Sequence, residues 1–221
     1  TQPQADEHVA NIESMLNSPQ LAECYPSLTK RMLGKYGHSK GWRRNRLRCG
    51  NGGTIDSLGL ESARRGFKVE EDRPDLFLPD DIDNDLDTID TTDKKEKILT
   101  KKILPAGSKY AAVLAAQNLV SPTGIFGRLY DGSARYLANR IVSGPHPAII
   151  DLKTENRDGF DIIIQGNPTW SGQNLTTCQA QINEWGLDAF KAESQHDVYS
   201  RSGQIFLPEW FSIPDGRNRF S

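Results

Sequence analysis

The residues of this chain best suited to chemistry lie in one acidic stretch, RPDLFLPDDIDNDLDTIDTTD, from Arg73 to Asp93. A short apolar run is broken at Pro79 and followed by the adjacent carboxylates Asp80 and Asp81. Acids at this density can hold Ca²⁺, hold Mg²⁺ beside a phosphate, or coat a solvated turn. The calcium reading fails on spacing. An EF-hand loop needs glycine at its sixth position and glutamate at its twelfth. Counted from Asp81 those places hold Leu86 and Thr92, and counted from Asp83 they hold Thr88 and Lys94.

The magnesium reading requires the apolar run to be a strand that delivers both acids at its carboxyl end, where open α/β sheets bind ligands. One carboxylate would enter the Mg²⁺ shell and its neighbour would orient the attacking water. Successive strand side chains point to opposite faces, so Asp80 and Asp81 can serve one site only where the strand is ending. Pro79 lacks the N–H that a central strand donates and predicts a bulge or an early end there. A helix cap or a solvated turn would show the same residues, and the acids alone leave that choice open.

The most basic patch is KGWRRNRLR, in which Arg43, Arg44, Arg46 and Arg48 join Lys40 around Trp42. Such a cluster can contact phosphate backbone or offer an arginine to a neighbouring subunit's nucleotide. A solvated connector with Trp42 tucked into the domain is the simpler reading. Arg65 could act on phosphate or pair locally with Glu61 or Glu70. His8, His38, His146 and His196 share no spacing that would make a metal site or a base–nucleophile pair. Ser171 sits in TWSG without a nucleophile elbow, and Trp170, Trp185 and Phe190 are expected as core aromatics.

The elements that must position these groups follow from periodicity. QADEHVANIESMLNS places Val9, Ile12, Met15 and Leu16 on a helical stripe, and QLAECYPSLTKRML is a second helical candidate broken at Pro26. The glycine-punctuated segment around the arginines reads as a connector, followed by a strand at TIDSLGL. After the acidic stretch, TTDKKEKILTKKIL reads as a helix capped by Thr91 or Thr92, with Ile98, Leu99 and Leu104 as its apolar face. KYAAVLAAQNLV fits a buried parallel strand. PTGIFGRLYDG suggests a short helix, ANRIVSG and GFDIIIQGNP suggest strands, and TTCQAQINEWGLDAFKAESQHDV suggests two helices hinged at Gly186. Strands separated by helices predict an α/β sheet that is at least partly parallel.

Bulk properties limit the partners. A net charge of −2 over 221 residues excludes a general polycation, so any nucleic-acid contact must be local. Three widely spaced cysteines without CxxC or CxxH company argue for reduced thiols, not for a zinc or disulfide framework. No apolar run reaches membrane-helix length, and the opening TQPQADEHV reads as the interior of something longer.

The segment ESARRGFKVEEDRPDLFLPDDID resembles the approach to the second nucleotide-binding motif of bacteriophage terminase large subunits, where an arginine-glycine pair precedes a strand ending in two acids. The likeness extends over roughly residues 1–210. QADEHVANIESMLNSP is similar to the helix after that family's first strand, and GKYGHSKGWRRNRLRCGNGGTIDSLGL to the basic connector and strand that follow. AVLAAQNLVSPTGIFGRLYDG is similar to the strand and polar turn of its coupling motif, and WGLDAFKAESQHDV to the helix closing its ATPase domain.

The resemblance implies a P-loop NTPase-like α/β fold, present as a partial domain whose sheet is mostly parallel and flanked by helices. The ATPase domain would cover 1–202, and 203–221 would lead toward a nuclease domain. It implies ATP and Mg²⁺ as ligands, with Asp80 on the metal and Asp81 at the catalytic carboxylate position. Gln117 and Asn118 would sense the γ-phosphate (a polar strand terminus is the plain alternative for Gln117), Arg65 would face nucleotide, and Arg43, Arg44, Arg46 and Arg48 would face nucleic acid. Implied partners are double-stranded viral DNA, the portal and procapsid, the small terminase subunit and further copies in a ring, in the host cell cytoplasm and away from membranes. No GxxxxGK[ST] occurs in the chain, so the phosphate cradle would lie upstream of Thr1. A helicase-like NTPase and a non-catalytic interaction module are the competing classes.

Overall fold

The computed structural model describes residues 1–62 and 72–198. They fall into two units. The first takes Thr1–Gln117, Thr123–Ile125 and Ala134–Ala138; the second takes Asn118–Pro122, Phe126–Ser133 and the chain from Asn139 on. The expected boundary near residue 203 lies outside the described residues.

In the first unit, α1 (Gln2–Leu16) buries Val9 and Leu16, with Ile12 packed alongside. Met15, expected on the same stripe, is 65% exposed. At 3.6 residues per turn it lies about 240° round the helix from Val9. Two short helices follow, α2 (Pro19–Cys24) and α3 (Pro26–Thr29), each opening on a proline whose missing N–H has no helical partner to lose. The segment expected as a connector contains a strand, β1 (Arg46–Arg48), antiparallel to β2 (Thr54–Asp56) with Leu47 opposite Ile55. Leu47 turns inward between two arginines, a period-two signal that the surrounding cations conceal. Leu47 and Cys49 complete the core with Val9 and Leu16.

Burial pushes the thiols of Cys49 and Cys178 up, whereas Cys24 is exposed. A disulfide reagent at neutral pH is therefore expected to modify one thiol per native chain quickly and all three after unfolding. Three equally fast thiols in the native chain would contradict this packing.

A strand–helix–strand passage follows: β3 (Leu76–Phe77), α4 (Ile89–Ile98) and β4 (Ala112–Val113). The N-cap of α4 is Thr88, whose hydroxyl accepts the Thr91 N–H at 3.2 Å; the expected caps Thr91 and Thr92 lie inside the helix. β3 and β4 run parallel, as their apolar runs predicted, with Leu76 opposite Ala112 and Phe77 opposite Val113. They are not buried on both faces. Leu76, Leu78 and Leu114 are 51%, 60% and 67% exposed, because among the described residues no element covers that face.

The short helix α5 (Ile125–Tyr130) forms where it was expected. In the second unit, β5 (Ile149–Arg157) and β6 (Phe160–Pro168) make an antiparallel ribbon joined through Asp158 and Gly159, both at positive φ (54° and 87°) as a primed hairpin turn requires. ANRIVSG is not a strand: it pairs with no strand among the described residues, and Ile141 is 96% exposed. Helices α6 (Leu175–Trp185) and α7 (Leu187–Ser194) meet at Gly186 as predicted. Ala148, Ile149, Cys178, Ile182 and Phe190 form this unit's core. Of the three expected core aromatics only Phe190 is buried; Trp170 and Trp185 are 61% and 45% exposed.

Each border of the ribbon is finished by a glutamine. Gln179 accepts the Ile163 N–H at 2.7 Å and donates to the Asp161 carbonyl at 2.8 Å. Gln195 does the same for both backbone groups of Ile149, at 2.9 and 2.8 Å. A primary amide has the donor–acceptor pair of a peptide group and substitutes for a missing strand.

Among the described residues the architecture is thus mixed α/β, in three two-stranded sheets. The expectation of a mostly parallel sheet is corrected: two of these sheets are antiparallel, since β1–β2 and β5–β6 are local hairpins and only β3–β4 is bridged by a helix. No described helix is long and apolar enough to cross a membrane.

Candidate functional site

The acid pair lies at the carboxyl end of the parallel pair. Ala112 N–H donates to the Asp75 carbonyl at 2.7 Å, Leu114 N–H to Phe77 at 3.0 Å and Ala116 N–H to Pro79 at 3.4 Å. The stretch occurs at Pro79, where a regular ladder would also receive an N–H. The continuous strand ends at Phe77, and one last parallel bridge joins Asp80 to Ala116. Asp81 then adopts a left-handed conformation, φ 46°, and the chain turns away. This backbone state costs a non-glycine residue about 1–2 kcal/mol, least for Asp and Asn, so its position beside Asp80 marks a constrained turn. Both carboxylates are exposed, and Asp80 Oδ2 stands 3.6 Å from His8 Nε2 on α1.

The loop beyond the pair is held from several sides. Gln117, four residues past the end of β4, accepts the Asp83 N–H at 2.9 Å and donates to the Asp83 carbonyl at 2.9 Å. The side chain thus prolongs the parallel ladder by one step. Asp83 itself is buried, and its Oδ1 accepts the Ile125 N–H at 2.8 Å. Gly124 permits this approach, because a Cβ there would fall 2.6 Å from Asp83 Oδ2. Lys95 on α4 donates to the Ile82 carbonyl at 2.8 Å and pairs with Asp87. Asp87 also accepts the Asn84 N–H, and Asn84 the Leu86 N–H, both at 2.9 Å. The acidic stretch is therefore a folded loop that presents Asp80 and Asp81 outward while Asp83 and Asp87 work within it.

The other candidates are distributed differently. Asn118 belongs to the second unit, where Nδ2 reaches the Glu193 carbonyl at 3.4 Å. Arg65 lies outside the described residues. Arg43 and Arg46 close a tight turn through mutual backbone bonds of 2.8 and 2.9 Å. Arg46 forks onto both oxygens of Asp56, which raises its already high pKa. Arg44 is 76% exposed and stands 3.5 Å from Asp6. Hydrogen bonds from Ser57, then from Gln2, hold the Asp6 carboxyl below its usual range. Arg48 is half-buried beside Gly41. Trp42 packs into the first core, donates its indole N–H to Glu13 at 2.7 Å and carries Arg31 over its ring at 5.0 Å. Trp42 is thus tucked against the first core, and Arg43 and Arg44 are the most exposed of the four candidate arginines.

His8, Lys95, Asp83 and Gly124 were not expected at this site. Nothing in the local pattern singles them out, because each reaches it through a contact distant in sequence. Two adjacent carboxylates offer hard oxygen ligands of the kind Mg²⁺ takes when phosphates complete its shell. Among the described residues no three His, Cys, Asp or Glu side chains converge as a self-sufficient cation cage. Comparison with protein-family models, with curated proteins and with solved structures returned no match.

Proposed function

We propose that this chain is a piece of the ATPase domain of a bacteriophage terminase large subunit, a P-loop NTPase-like motor driving double-stranded viral DNA into a procapsid. One observation carries the reading: a helix-bridged parallel pair lets go of its ladder at Asp80, next to Asp81, and the segment that follows β4 brings Gln117 beside it. Bound Mg²⁺·ATP would supply the transferable phosphate and neutralise its charge. Asp80 would give the metal a carboxylate oxygen, and Asp81 would orient water. Gln117, with both amide atoms on Asp83, holds the acid loop against the end of β4 and is a positioning residue. Arg43 and Arg44 would meet DNA phosphates, with portal, small subunit and further copies as partners in the host cytoplasm.

The test begins with the reading frame upstream of Thr1. A strand followed by GxxxxGK[ST] within about a hundred residues, the scale of one domain, supports the proposal; a frame without it overturns the proposal. In a gene product carrying that segment, Asp80→Ala and Asp81→Ala are each expected to lower kcat about 100-fold or more. The 221-residue chain by itself should turn over ATP poorly, since positioning by the phosphate cradle is most of the catalysis. The competing reading, a non-catalytic adaptor, draws on Gln117, whose amide is engaged with backbone. An adaptor would assemble on its partner without nucleotide, whereas a motor subunit should require it.

A further inference from the structure

The second unit holds a cavity of about 420 Å³ lined by His146, Ala148, Thr169, Trp170, Gln173 and Ser194. Its most unusual wall is Trp170, an indole left 61% exposed. This side chain is nevertheless held in place. Its indole N–H donates to Gln173 Oε1 at 3.2 Å, and Gln173 is in turn tied to Gln181 on α6 at 3.1 Å. The backbone of Gly172 lies against the benzo ring, where a Cβ would fall 1.8 Å from Cζ3. Thr169 fixes the segment before it by donating to the Pro147 carbonyl at 2.6 Å. An exposed aromatic that is oriented by a glycine and a two-step amide relay is a preformed stacking surface, and loss of rotamer freedom on binding is already met.

The rim around it is polar. Ser194 and His146 line the cavity, and His146 Nε2 lies 3.0 Å from Ser143 Oγ. A hydrocarbon ring would leave these edge groups unmatched. A flat ring with donors and acceptors on its edge satisfies both wall and rim, and the volume lies within the usual range for small-ligand sites. We infer that this cavity binds a nucleobase, stacked on Trp170 and read along its edge by Ser194 and His146. The base arrives either on a free nucleotide or as part of a single strand, and titration distinguishes the two sources. The inference uses no residue of the acid pair and stands whether or not the motor reading does.

The experiment titrates the 221-residue chain with AMP, with a short single-stranded oligonucleotide and with ribose 5-phosphate, taking affinities by calorimetry and following tryptophan emission of the parent chain beside it. The base-bearing ligands are expected to quench saturably and ribose 5-phosphate to do nothing. Trp170→Ala should weaken binding about 10-fold or more, the range measured for loss of one stacked base, and Trp170→Phe should restore part of it. Binding of AMP as tight as that of the oligonucleotide assigns the site to free nucleotides; much tighter oligonucleotide binding assigns it to a strand. Since Trp170 is mostly exposed, its variants should keep the parent melting temperature. Should the alanine variant fail to fold, the calorimetric affinity of the phenylalanine variant, expected to lie below that of the parent chain, still tests the site. Equal binding of ribose 5-phosphate, absence of binding by any base, or unchanged affinity in Trp170→Ala overturns the inference.

Discussion

Phe190→Ala is expected to destabilise the second unit by about 3–5 kcal/mol, the cost of emptying a large aromatic site in a packed core. Phe190 is fully buried and sits among Ala148, Ile149, Cys178 and Ile182, with Leu152, Ile163, Leu175 and Leu187 around them. It joins α7 to α6 and to the inner face of the ribbon, so neighbouring side chains cannot close the void without moving three elements. The effect should appear in chemical denaturation and, residue by residue, as faster amide exchange at Ile182 and Ile163. Unchanged exchange at both positions would mean that Phe190 is not the centre of this core.

Asp83→Ala is expected to cost about 2–3 kcal/mol in the first unit, because it leaves the Ile125 N–H buried without its acceptor at 2.8 Å. Asp83→Asn keeps an acceptor oxygen in place and should lose clearly less. Denaturation of the two variants side by side separates the hydrogen bond from the charge. Gln117 bonds the backbone of Asp83, so its grip on the loop should persist in both variants. A cost under about 0.5 kcal/mol, the level of an ordinary surface change, would show that the carboxylate is solvated.

These two residues show what could and could not be read from sequence. Helices α6 and α7 were legible, break included, because Cys178, Ile182 and Phe190 recur at helical spacing around Gly186. A parallel strand within KYAAVLAAQNLV was legible too, though its partner and its exposure were not. β5 was not, because only Ile149, Ile150 and Leu152 of its nine residues are apolar. The Asp158–Gly159 pair, whose glycine opens GFDIIIQGNP, is the signal that points to it. At the candidate site, Asp80 and Asp81 and their early strand end follow from local chemistry at Pro79. The role of Asp83 does not. An acid bonded to an N–H 42 residues away looks, in one dimension, like every other aspartate of its run.

Borrowed amides have one further consequence. A lone two-stranded ribbon has raw margins on both sides, each a template on which a stranger's backbone can zip and begin a polymer. Gln179 and Gln195 occupy those margins at Ile163 and Ile149, so the ribbon offers fewer free rungs to neighbours than its length suggests. Resistance to self-association, as much as stability, is what these two side chains confer.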